Sequence, residues 1–135
     1  MSADLAALVP NTKFETDKAE ALVRLGFPAV EPVIPQILEW LQDLNWPVGV
    51  VFQPFLAGIG GPLAPYVRTV LQGQDDSWKY SLLSVVVDQS PALALALRQD
   101  LVRVATSPSS GEVKEEVDQV AIEILRALNR GAAEA

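Results

Sequence analysis

Two short blocks hold most of the side chains in this chain that could do chemistry. Asp43, Asn45 and Trp46 stand in the first; Asp75, Asp76, Trp78, Lys79 and Tyr80 stand in the second, with the tryptophans 32 residues apart. Three carboxylates could hold a hard cation, but their spacing lacks the one-three-five oxygen pattern of a calcium loop. Ser77, Ser81 and Ser84 flank Lys79, yet a serine-lysine pair is reactive only when the amine is desolvated, and these spacings are those of a helix surface. Gly58, Gly60 and Gly61 precede a helix but follow no strand, so a dinucleotide-binding turn lacks its context. Histidine and cysteine are both absent, which removes the commonest general base, the commonest metal ligand and the thiolate nucleophile. The expectation is a protein that is not an enzyme, with no catalytic residue, no cofactor and no metal.

Recognition is the chemistry left to the two blocks. Trp and Tyr beside carboxylates are the materials of interface hot spots, so Asp43, Asn45, Trp46, Asp75, Asp76, Trp78, Lys79 and Tyr80 form the candidate partner-binding edge. The bland account of the same residues is structural. Asn45 and Asp75 or Asp76 would cap helices at about 1 kcal/mol each, Trp46 and Trp78 would stack between repeats, and Lys79 would pair with an acid of the neighbouring turn.

Seventeen acids against ten bases give a formal charge of −7. Such a charge opposes a phosphate backbone, whose binding relies on clustered Lys and Arg, so no nucleic acid is expected. It suits a basic protein partner. Leu44 to Val67 carries no charge over 24 residues, long enough to cross a membrane. Pro47, Pro54, Pro62 and Pro65, with Gly58, Gly60 and Gly61, break that stretch into two short buried helices instead. Met1 to Val9 contains Asp4 and has no basic start, unlike a secretion signal. These features predict no membrane association and a cytoplasmic protein.

The elements that must carry the blocks announce themselves through proline. Pro32-Val33-Ile34-Pro35, Pro62-Leu63-Ala64-Pro65 and Pro91-Ala92-Leu93 begin 30 and 29 residues apart, the length of one helical pair that must lay its apolar face on a neighbour. Proline in the first turn of a helix gives up no needed donor. Helices are predicted over 17–25, with Thr16 or Asp17 as cap, and over 31–43. A third starts at an Asn45 cap, contains Pro54 where it should kink or divide, and ends at Gly60-Gly61. The fourth runs from Pro62 to about Gly73, and the fifth follows Asp75 or Asp76. The sixth begins at Ser90-Pro91, carries the stripe Leu93, Leu97, Leu101 and Val104, and stops at Pro108. The last has Ser109 and Glu112 as a capping box, with Val113, Val117, Val120, Ile124 and Leu128 facing inward.

Seven helices without a convincing strand predict an all-α fold, a HEAT or armadillo-like stack (an α-α superhelix), in one domain whose ordered core spans about 9–130. The densely charged first and last helices would be its caps. An apolar middle also leaves homodimerisation open, because composition does not separate burial from an interface.

The stretch LEWLQDLNWPV from Leu38 to Val48, followed by LAPYVRTVLQGQDDSWKYSLLSVV from Leu63 to Val86, resembles a family of small stand-alone microbial proteins known as a domain of unknown function. Similar spacing extends from about Val9 to Leu125. The resemblance implies a compact HEAT-like helical domain and transfers no activity and no site residue. Ser81 stands where the family's WKYW block has its second tryptophan. Taken together, the residues point to a protein-binding module. Its sharper alternative is an immunity-type protein that neutralises a basic toxin, and a further alternative is a self-associating or small-ligand-binding helical domain.

Overall fold

The computed structural model describes residues 5–134. Met1 to Asp4 and Ala135 lie outside the described residues. Ten α-helices and no strand occur among those described: α1 Leu5–Leu8, α2 Thr16–Leu25, α3 Ile34–Glu39, α4 Pro47–Ile59, α5 Ala64–Leu71, α6 Asp76–Leu82, α7 Pro91–Ala96, α8 Arg98–Thr106, α9 Ser110–Lys114 and α10 Val117–Glu134. The all-α class is therefore as the sequence predicts, while the expected count of seven is too low. Three differences account for the rest. A short helix, α1, stands before the predicted start of order at 9, the sixth predicted helix divides at Leu97, and the last divides at Glu115-Glu116.

Each division has a packing reason. Leu93, Leu97, Leu101 and Val104 are all buried as predicted. The break at Leu97 lets α7 lie on the turn Gly61–Leu63 while α8 lies along α10. At the second break Glu116 takes a left-handed conformation, φ 62°, and α9 turns so that Glu112 faces inward. Val113, predicted on the buried stripe, is 51% exposed, whereas Glu112 is 1% exposed.

The proline repeat is visible in the backbone. Glu31–Val33 and Gly61–Leu63 are 3-10 turns with proline in the first two positions, leading directly into α3 and α5. At the third start, α7 opens at once on Pro91, because the Ser90 side chain already accepts from the Leu93 amide. The mid-helix proline does not divide α4: Pro54 is exposed, and Val48, Phe52 and Leu56 are buried on the opposite side of that helix. Gly60, at φ 76°, then reverses the chain in a conformation that L residues rarely adopt.

After α6 the helix widens into a π turn over Leu83–Val87, in which the Asp88 amide donates to the Leu83 carbonyl. This segment contains the Val85-Val86-Val87 run, and the widening accompanies complete burial of Leu82, Leu83, Val86 and Val87. Around it the core assembles in sequence: α2 packs on α4, α4 on the π segment, and α10 on the π segment, α6, α7 and α8. Tyr66 of α5 donates to Glu31 before α3 at 2.8 Å, and Arg68 pairs with Asp100 of α8 at 3.0 Å, so α5 is tied both to the turn before α3 and to α8. The buried apolar side chains, from Leu5 to Ile124, form one cluster. No single described helix is long and apolar enough to cross a membrane; α4 and the segment Gly61–Leu71 together have the composition, but are bent by 113°.

Candidate functional site

The second block opens α6, and three of its residues turn inward. Asp75 caps the helix, its Oδ1 accepting from the Trp78 amide at 3.0 Å. Capping fixes the helix start, and the following turn then directs Trp78 and Lys79 into the protein. The Trp78 indole donates to the Leu38 carbonyl at the end of α3, 2.9 Å away. Lys79, 4% exposed, places Nζ 2.8 Å from Asp76 and 3.0 Å from Glu112.

Glu112 is the centre of this network. Arg103 from α8 grips it with two parallel contacts, Nη1 to Oε1 at 2.6 Å and Nη2 to Oε2 at 2.8 Å, the strongest geometry open to such a pair. The Ser109 amide adds a bond at 2.8 Å, and the Ser109 hydroxyl accepts from the Glu112 amide, completing the predicted capping box. The Arg103 guanidinium is the main reason that Glu112 falls from its ordinary 4.5 to about 2; burial opposes the shift, and Ser109 and Lys79 reinforce it. Gly111 belongs to the same arrangement. A Cβ there would collide with the Asp76 carboxylate.

Two positive and two negative groups thus tie α6, α8 and α9 together with their charges balanced. Sequence reasoning found the capping role of Glu112 and missed its ion pairs, because Arg103 and Lys79 lie 9 and 33 residues away. It expected Lys79 to meet an acid of the neighbouring turn; the partners are instead an acid of its own helix and one from α9. A serine-lysine pair is not assembled. The Ser81 hydroxyl donates to the Ser77 carbonyl, and the lysine is held between carboxylates.

The first block lies in the turn between α3 and α4. Asp43 Oδ1 accepts from the Asn45 amide at 2.8 Å, closing a local turn. Asn45 does not cap α4, contrary to expectation: the preceding residue is Trp46 in extended conformation, and no side chain caps that helix. Nor do Thr16 or Asp17 cap α2. Glu15 precedes it and folds backward, accepting from the Asn11 and Thr12 amides at 2.6 and 3.1 Å. Trp46 meets Trp40 edge-on, with centroids 5.4 Å apart, while Trp78 reaches back to the end of α3.

An open groove of about 440 Å³ joins what the blocks leave outside. Asp43 and Asn45 form one wall, Tyr80 and Ser77 from α6 form another, and Glu115 and Glu116 close it from the α9–α10 junction. Lys114 is the lone base on that lining, so the groove is acidic. The structure therefore gathers Asp43, Asn45 and Tyr80 at one surface and places Asp75 at a cap. Asp76, Trp78 and Lys79 are engaged within the fold, and Trp46 lies against Trp40. Among the described residues no three acids converge on a metal-sized site.

The chain matches the family model described as a domain of unknown function, DUF5071, over residues 8–125, and it belongs to that family. No match was found among curated proteins.

Proposed function

We propose that this member of the family is a non-enzymatic protein-binding module that takes a basic partner at the acidic groove, on a stack of helical pairs of the HEAT kind. The observation that carries the reading is the meeting of Asp43, Asn45 and Tyr80 with Glu115 and Glu116 around one open groove. Residues from the α3–α4 turn, α6 and the α9–α10 junction converge there, although the fold spends none of the exposed acids in buried pairs. An aromatic side chain among carboxylates offers a desolvated anchor within a field that steers a cation-bearing surface. Glu116 adds to this support. A non-glycine residue held at positive φ is a local cost that surrounding structure must offset, and such positions recur at recognition sites.

A basic toxin is the narrower form of the same reading, since charge complementarity speeds encounter and the groove presents its acids to solvent. The proposal places the protein in the cytoplasm, away from nucleic acid and from membranes, in keeping with its charge of −7.

Affinity capture from lysate of the source organism tests it, with wild type and an Asp43→Asn, Tyr80→Ala double variant as baits. Both substitutions fall outside the buried ion network, but Tyr80 packs in part against the core, so circular dichroism and urea unfolding first establish that the variant bait is folded at the temperature of capture. One basic protein recovered by wild type and lost by the variant is the expected result. Equal recovery by both baits would remove the groove from the account.

A further inference from the structure

A second surface of opposite character lies on α7 and the start of α8. Helices at a protein surface present polar residues outward, but α7 is Pro-Ala-Leu-Ala-Leu-Ala and has no polar side chain at all. Only Leu93 and Ala94 are buried; Leu95 is 61% exposed, and Pro91, Ala92 and Ala96 are exposed with it. Two grooves flank this helix and share Leu95 and Arg98 as a common wall. One, about 450 Å³, is mostly apolar, floored by Val87, Ile124 and Leu128, with Asp88 and Arg98 as its charged lining. Its neighbour, about 670 Å³, is lined by Arg68, Arg98 and Arg103, with Asp100 as its only acid.

Three of the ten basic residues of a chain with net charge −7 therefore converge on one groove. Arg68 is fixed there by Asp100 and by the Ala96 carbonyl at 3.2 Å, and Arg103 is fixed by Glu112. Arg98 has no ion-pair partner among the described residues. Arg98 is therefore the guanidinium left for bidentate capture of a carboxylate, Arg68 keeps Nη1 for a single further contact, and the apolar ground beside them suits leucine-like anchors.

We propose that this double groove docks an acidic, leucine-bearing segment of another protein, with apolar side chains against Leu95 and Leu128 and carboxylates at Arg68 and Arg98. This surface does not depend on the acidic-groove reading, because the two share no lining residue and select partners of opposite charge. A second copy of the chain fits poorly. A two-fold interface centred on α7 would bring Arg98 near its own counterpart. An anionic bilayer fits poorly too, since the rest of the chain repels it.

A fluorescein-labelled peptide of fourteen residues, with leucines at helical spacing and glutamates elsewhere, provides the test by fluorescence anisotropy. It should bind at least tenfold tighter than the same peptide with lysines for glutamates. Leu95→Gln and Arg98→Glu should each weaken it fivefold or more, while circular dichroism shows both variants folded, as their exposure allows. Several results would overturn the proposal: equal binding of the acidic and basic peptides, binding indifferent to both substitutions, or no binding. So would preferential sedimentation with vesicles containing phosphatidylglycerol, tighter binding of a single-stranded oligonucleotide, or a dimer in analytical ultracentrifugation that Leu95→Gln dissociates.

Discussion

Replacing Glu112 by Gln should cost about 3 kcal/mol at pH 7, and the cost should vanish in acid. The amide keeps the shape and can still receive the Ser109 amide bond, so the change removes charge rather than the cap. A carboxyl moved from 4.5 to about 2 by folding contributes about 3 kcal/mol, at about 1.4 kcal/mol per pH unit. Removing one member of a buried ion pair costs about 3–5 kcal/mol by a separate route. The lower end applies, because the Arg103 side chain is 45% exposed and regains water, leaving Lys79 with Asp76 alone. The sign follows from a lowered folded value. The contribution is complete above pH 4.5 and fades as pH falls towards 2, so the gap between wild type and variant should shrink to less than half of its neutral value by about pH 3. Urea unfolding followed by far-ultraviolet circular dichroism at pH 7, 5, 4 and 3 measures it. A gap under about 1 kcal/mol at pH 7, or one constant with pH, would refute the assignment of Glu112 as the charged centre.

Three further outcomes are expected in the same unfolding assay. Trp78→Phe removes the donor to the Leu38 carbonyl and should cost about 1–2 kcal/mol. Gly111→Ala drives a methyl group into the Asp76 carboxylate, which Lys79 holds in place, and should cost about 1–3 kcal/mol, partly relieved in an Asp76→Ala background. Glu116→Gly should raise stability by about 0.5–1 kcal/mol, since glycine accepts the φ of 62° without strain, while it weakens capture of a basic partner.

Local rules made much of this fold readable. Pro32, Pro47, Pro62 and Pro91 mark helix starts because a ring with fixed φ and no donor costs no hydrogen bond in the first turn. Ser90, Asp75 and the Ser109–Glu112 box are found as caps because a side chain and an amide three residues on suffice to define them. The breaks at Leu97 and Glu116 escaped because neither carries a local signal. Leu97 is an ordinary helix former, and Glu116 leaves the helix so that Glu112 can reach charges supplied by α6 and α8. Asn45 misled for a related reason: its amide is drawn to Asp43, and that turn leaves Trp46 ahead of α4. The candidate edge was legible as a set of residue types and not as a surface. Helical phase could not foresee that Lys79 would be buried by a carboxylate 33 residues away, or that Glu115 and Glu116 would complete the groove beside Asp43. α7 was legible only as the start of the sixth predicted helix and its Leu93 stripe; its apolar exposed half emerges once Leu93 and Ala94 are seen to be the residues it gives to the core.

Amide hydrogen exchange of the chain, alone and with the basic protein recovered by affinity capture, tests the central claim most directly. The account predicts slowed exchange at residues 42–45, 77–81 and 114–116, with α7 unchanged. Protection confined to α7, or none at the acidic groove, would contradict it.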